Sequence, residues 1–186
     1  MFPILFNLPL VLLPIHIAFL ELIIDPACST VFEAEPEEKN IMNRPPRNLQ
    51  ERLFGRKNLT LSLLQGTSML AGVVVIFLYS LYLGKGEVDA RTLTFATLVI
   101  ANLTLIVANL SWSQSIIKTL RSENKALKYV LIGALAGLFL VLYVPFLRSL
   151  FRFSLLHVDD LLIVFVVGIL SIVWLRLLKS KIKDTI

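Results

Sequence analysis

Five apolar stretches, near residues 8–32, 60–83, 92–112, 127–146 and 160–178, decide what this chain can fold into. Each is close to or above the roughly 20 residues that carry an α-helix across the hydrocarbon of a bilayer. In lipid the backbone has no water to bond, so a spanning segment must satisfy its own amides and carbonyls. The expected fold class is therefore all-α, an integral membrane helical bundle of five transmembrane helices. Composition agrees, with 56% of residues hydrophobic and 17% charged, outside the usual range of a water-soluble domain.

The charges fall between the apolar stretches and so record topology. The connection 33–57, the connection 113–128 and the tail from Arg176 hold fourteen of the Lys and Arg residues, against Lys85, Arg91, Arg148 and Arg152 on the other side. The positive-inside rule then places the loop 33–59 and the C-terminus in the cytoplasm and the N-terminus outside, which an odd number of spans requires. A multi-pass protein of a prokaryotic plasma membrane is the expected setting, with membrane lipid as its solvent. The net charge of +5 needs no nucleic-acid partner, because basic and aromatic residues do not interleave on a soluble surface. One cysteine, Cys28, excludes an internal disulfide and a Cys-based metal cluster.

The first stretch is the irregular one, since Pro9, Pro14 and Pro26 interrupt it. It also holds Glu21 and Asp25, spaced i,i+4 and so on one helix face. A lone acid at the centre of a span costs about 3 kcal/mol on insertion scales, so the pair should not face lipid. Pro26 offers no N–H to the Leu22 carbonyl and crowds it, which predicts a bend or local unwinding there. Two carboxylates and a freed backbone carbonyl make a set of hard oxygen ligands, suited to Ca²⁺ or Mg²⁺, or to a proton held on one of a coupled pair of acids. In the plainer alternative, the acids sit at a helix end and pair with a lysine or water.

Other polar residues in the spans are open to two readings. Asn102 and Asn109 share a face of the third stretch, where an amide could serve as a neutral ligand or as an interhelical hydrogen bond; Thr104 and Gln65 are similar. Gly133 with Gly137, and Ser68 with Gly72, are small-xxx-small pairs that let helices approach closely. His16 and His157 lack a metal-ligand partner at helical spacing and read as interfacial. The sequence holds no glycine-rich phosphate loop, no Asp-Lys-Thr-Gly phosphorylation sequence and no nucleophile triad.

Three segments taken together carry a resemblance. Leu8-Pro9-Leu10-Val11-Leu12-Leu13-Pro14-Ile15-His16-Ile17, then Leu20-Glu21-Leu22-Ile23-Ile24-Asp25-Pro26, then Asn40-Ile41-Met42-Asn43-Arg44-Pro45-Pro46-Arg47 resemble the sixth transmembrane helix and following cytoplasmic loop of P-type cation-transporting ATPases of the calcium-pump type. Asn102-Leu103-Thr104 through Asn109-Leu110-Ser111 resembles the eighth helix of that family, and Tyr143-Val144-Pro145 with the last span resembles the end of the ninth and the tenth.

The resemblance implies three parts: residues 1–32 as the end of a fifth helix, a short outer turn and the sixth helix; 33–59 as a cytoplasmic Pro/Arg loop; and 60–186 as a four-helix membrane domain. It implies that Asp25 matches a shared Asp ligand, that Glu21 stands where calcium pumps have Asn, that Ile24 replaces a Thr ligand, and that Asn102 stands where the eighth helix supplies a Glu. The transported cation is then Ca²⁺ or another divalent ion, with proton counter-transport as an option. The partners are the remaining domains of the pump, and Mg-ATP belongs to the complete pump, so this chain holds no cofactor and should not hydrolyse ATP by itself. Two further classes remain: a regulatory or scaffolding membrane subunit, and a small channel or secondary transporter.

Overall fold

The computed structural model describes residues 10–37, 56–110 and 124–183, with side chains described from Leu59 in the second stretch and as far as Trp174 in the third. Residues 1–7, the Pro/Arg core of the first loop and most of the connection 113–128 lie outside the described residues. All the regular structure described is helical. In chain order the elements are α1 (Pro14–Glu33), α2 (Arg56–Tyr82), α3 (Glu87–Leu110), α4 (Lys125–Tyr143), the short α5 (Pro145–Phe151) and α6 (Val158–Lys183).

Pro14–Glu33, Leu59–Tyr82, Glu87–Leu110 and Lys125–Tyr143 are each long and apolar enough to cross a membrane. The fifth expected stretch, 160–178, falls within the 26-residue α6, about 39 Å long at 1.5 Å per residue. The third helix starts earlier than its apolar run suggests, at Glu87, because Glu87 and Asp89 in its first turn favour the positive end of the helix dipole.

α3 is the centre of the bundle. It packs against α2 and α6 and also touches α1 and α4, and Ala90, Leu93, Phe95, Ala96, Val99, Ile100, Leu103 and Ile106 are all buried. Apolarity around the whole circumference is what a central helix needs. Its threonines turn their hydroxyls back into the helix: Thr92 donates to the Val88 carbonyl at 2.7 Å, Thr94 to Ala90 at 2.6 Å and Thr97 to Leu93 at 2.8 Å. Each hydroxyl is thus satisfied locally, and the helix can be buried without an orphan donor.

Lipid tails are as apolar as leucine, so contact geometry and hydrogen bonds must hold the helices together. The tightest approach is at Gly168 of α6, where an added Cβ would stand 2.8 Å from Ile100 Cγ2 and 3.2 Å from the Thr97 carbonyl oxygen. Gly72 of α2 sits against Ser171, whose Cβ would be 3.0 Å from the added carbon, and the Ser68 hydroxyl donates to the Ser171 carbonyl and accepts from Trp174 Nε1. Gly137 faces the Phe19 ring at 3.7 Å, whereas Gly133 faces open space.

Turns close the bundle on the side of the α2–α3 hairpin. Gly84, at φ +72°, places its N–H on Leu81 and the next N–H, that of Lys85, on Ser80, a Schellman cap that stops α2. The Lys85 ammonium then reaches Asp160 in the first turn of α6, with His157 Nδ1 3.8 Å from the other carboxylate oxygen. α5 ends in the same way at Arg152, φ 52°, and turns Phe153 into the core.

There it meets His16. This residue, read from sequence as interfacial, is fully buried, with ring centroids 4.6 Å from Phe153, 5.1 Å from Phe95 and 6.0 Å from Phe151. Its Nδ1 accepts the Leu13 N–H at 3.1 Å, so Nε2 carries the proton and donates to the Phe151 carbonyl at 2.9 Å. Both ring nitrogens are spent on backbone groups, and the N-terminal end of α1 is fixed to α5.

Two outcomes are expected when unfolding by SDS in mixed micelles is followed by circular dichroism. Gly168→Ala lowers stability by about 1–3 kcal/mol through overpacking against α3, while Gly133→Ala leaves the midpoint in place. His16→Leu orphans the Phe151 carbonyl and the Leu13 N–H at about 1–3 kcal/mol each, and His16→Gln, whose amide can donate to the same carbonyl, falls between it and the parent.

Candidate membrane cation site

Halfway along α1 the helix widens into a π turn, Leu20–Ile24, in which the Asp25 N–H bonds back to the Leu20 carbonyl. α geometry resumes at Asp25, with Pro26 in the first turn of the resumed segment. Proline fits the first turn of the resumed segment because its fixed φ is already helical. The irregularity expected at Pro26 is thus an inserted residue just ahead of it.

That inserted residue has a packing consequence. His16 and Phe19 are buried at ordinary helical spacing, and so are Ile24 and Val31 with Cys28 half-buried between them, but Phe19 and Ile24 are five residues apart, one more than plain α geometry keeps on one face. With plain α geometry Ile23 would turn inward; here it is exposed and Ile24 is buried. The π turn lets both halves of α1 bury their apolar residues against the bundle, and it keeps the opposite stripe, Ala18, Glu21, Leu22, Asp25 and Ser29, exposed along its length. Turns of this kind are frequent at functional sites.

Glu21 and Asp25 therefore lie on one stripe that faces away from α3, and neither carboxylate has a hydrogen-bonding or ionic partner among the described residues. Leu22, whose carbonyl is the third candidate ligand, is 76% exposed. Past the proline, the Thr30 hydroxyl donates to the Pro26 carbonyl at 2.9 Å and Ser29 to the Asp25 carbonyl at 3.4 Å, so nearby backbone oxygens are served by side chains. Among the described residues no three His, Cys, Asp or Glu side chains converge on one point. Two carboxylates fall short of the six to eight oxygens that Ca²⁺ takes, so the described residues do not by themselves make up such a site.

The amides of α3 divide. Asn109 exchanges hydrogen bonds with Gln65 of α2: Gln65 Nε2 donates to Asn109 Oδ1 at 2.9 Å, and Asn109 Nδ2 to Gln65 Oε1 at 3.4 Å. Each residue was ambiguous in the sequence, and together they form an interhelical clamp. Thr104 bonds back to the Ile100 carbonyl at 2.8 Å. Asn102 is half-buried, and its side-chain amide has no hydrogen-bond partner among the described residues.

Sequence reasoning passed over the residues that hold α1 in place. Besides His16 these are Arg91, whose Nε donates to the Leu10 carbonyl at 3.1 Å, and Asn124, which bonds Glu35 at 2.7 Å across 89 residues of chain. A lone asparagine ahead of an apolar helix carries an N-cap signal but none for its distant partner.

The family described as "Cation transporting ATPase, C-terminus" matches residues 9–180. The calcium-transporting ATPase type 2C member 1 of Homo sapiens is 28% identical over 169 residues, which cover 90% of this chain and 18% of that protein. Calcium-transporting ATPase 1 of Saccharomyces cerevisiae is 26% identical over 180 residues, 92% of this chain and 19% of that protein. Calcium-transporting ATPase type 2C member 2 of Homo sapiens is 25% identical over 171 residues, covering 91% and 18% respectively. The chain thus spans about a fifth of the length of the curated relatives it matches. A family match that runs through all six helices establishes that this chain belongs to the C-terminal region of the cation-transporting ATPases.

Proposed function

We propose that this chain acts as the C-terminal membrane segment of a P-type cation pump and supplies one wall of its transmembrane cation site through Glu21, Asp25 and the Leu22 carbonyl. The observation that carries this reading is the exposed stripe of α1. Two carboxylates sit there on a helix whose other face packs against the bundle through His16, Phe19, Ile24 and Val31, and a membrane helix does not leave acids on a lipid face when a polar partner is available. The partner is the remaining membrane helices of the pump, which bring the missing oxygens. Asn102 is the one amide of α3 left over for a neutral ligand, and because the stripe faces away from α3 it would serve the cation path apart from the two acids.

Ca²⁺ is the cation that the named relatives favour, and carboxylate with carbonyl oxygen is the donor set it takes. With Glu21 and Asp25 close together on one turn, release of the cation leaves like charges that a proton can relieve, so exchange against protons belongs to the same reading. ATP hydrolysis, with Mg-ATP as its substrate, belongs to the complete pump. The cytoplasmic side is that of the loop 33–59 and the C-terminal tail, by the distribution of Lys and Arg.

The test is a hybrid in which this chain replaces the corresponding portion of the Saccharomyces cerevisiae Calcium-transporting ATPase 1, with ATP-driven Ca²⁺ uptake measured in sealed vesicles. Glu21→Gln and Asp25→Asn should each raise the Ca²⁺ concentration for half-maximal uptake by about tenfold or more, a loss of at least about 1.4 kcal/mol of binding. Unaltered uptake in both variants of an active hybrid removes the acids from the cation path.

A further inference from the structure

The inner end of α1 stops in an unusual way. Ala34 N–H bonds to Thr30 in ordinary helical register, but the Glu35 N–H turns to the Phe32 carbonyl at 3.4 Å. The Val31 carbonyl thereby loses the amide four residues on that would have served it, one of the orphan acceptors every helix end leaves. Its replacement comes from a different helix. Asn124 Nδ2 donates to the Val31 carbonyl at 3.3 Å and to Glu35 Oε2 at 2.7 Å, while Asn124 Oδ1 accepts the Leu127 N–H at 2.9 Å as the N-cap of α4. The residue is 3% exposed. Both amide hydrogens and the carbonyl oxygen of one side chain are therefore spent on closing two helices at once.

We infer that Asn124, acting through Glu35, is a positioning residue for the Glu21/Asp25 stripe: it sets where the inner end of α1 stands against α4, and with it the height and rotation of the acids. This inference rests on the cation-site reading above. The mechanical argument is direct. The outer end of α1 is fixed by His16, the π turn lies between, and Val31 is six residues below Asp25, less than two turns of helix. Freeing the inner end leaves a segment with a widened turn at its top and no anchor at its bottom. A cap that only ended α4 would need the Asn124 oxygen; the two bonds from its nitrogen serve α1 alone.

Asn124→Asp separates the two roles. The carboxylate keeps the cap, since Asp is as good an N-cap as Asn, but it has no hydrogen to donate and it faces Glu35 with like charge. Adding Glu35→Gln restores the bond in the reverse sense, the new amide donating to the new carboxylate.

In the 186-residue chain in lipid nanodiscs, the alkylation rate of Cys28, the native thiol three residues before Val31, reports on the inner half of α1. Asn124→Asp should raise it by about threefold or more through local opening, with the double variant recovering part of the way towards the parent rate, since the Val31 carbonyl stays unserved. In the hybrid pump, Asn124→Asp should raise the half-saturating Ca²⁺ concentration by about tenfold at an unchanged maximum rate, again with recovery in the double variant. Unchanged rates and affinities in Asn124→Asp, or a double variant no better than the single one, overturn the assignment. A hybrid without any Ca²⁺ dependence, alongside the expected Cys28 pattern, refutes the cation-site reading and leaves Asn124 as the residue that fixes α1.

Discussion

Two carboxylates on a helix inside hydrocarbon constrain everything around them. Each costs several kcal/mol if it faces lipid unmet, and a helix bundle answers either by turning acids inward to protein partners or by reserving their face for partners elsewhere. In this chain the inward face of α1 is taken by Phe19, Ile24, Val31 and the backbone-bonded His16, so Glu21 and Asp25 stand on the other side. The π turn makes this division possible. It adds one residue to the helix circumference between Leu20 and Ile24, so the apolar residues before and after it fall on the same face, and the acid stripe is kept clear of α3.

A stripe that is to meet a cation, as proposed, must also be held still. α1 is pinned above the acids by the buried His16 ring, whose two nitrogens are both bonded to backbone, and below them by Asn124. Those anchors rest on a frame that owes little to hydrophobic driving force, since all its surroundings are apolar. α3 brings alanines and self-satisfied threonines, α6 brings Gly168, and α2 brings Gly72 and the Gln65 amide. Close approach and a few interhelical hydrogen bonds give the bundle one arrangement, and that arrangement aims the acids.

Much of this was legible in the sequence, and the reasons are physical. Apolar length announces membrane helices because no other open structure can satisfy a backbone in lipid, and an i,i+4 acid pair stands out because acids in such helices are rare. Pro26 announced an irregular α1. What proline alone does not specify is the form of the irregularity, a local bend or a π turn; in the structure it is a π turn, and with it Ile24 rather than Ile23 is buried against the bundle. His16 was misread because a histidine in an apolar run gives no sign of whether its nitrogens will find carbonyls 135 residues away. Asn124 and Glu35 were silent for the same reason: their bond depends on where two helix ends meet, which no local pattern encodes. Gly168 was overlooked because it has no small partner four residues away; its role depends on the bulk of Ile100 across the interface.

The central claim is that the acid stripe of α1 is a surface completed by helices outside this chain. Ala18 lies on that stripe, one turn above Glu21, and its replacement by cysteine in a Cys28→Ser background gives a small probe of what covers it. The decisive measurement is the rate at which Ala18→Cys reacts with a lipid-soluble maleimide, first in the 186-residue chain and then in the hybrid pump. The account predicts rapid labelling in the chain, strong protection in the hybrid and further protection on adding Ca²⁺. Equal labelling in both settings would mean that the stripe faces lipid in the assembled pump, and the acids would then have no site to serve.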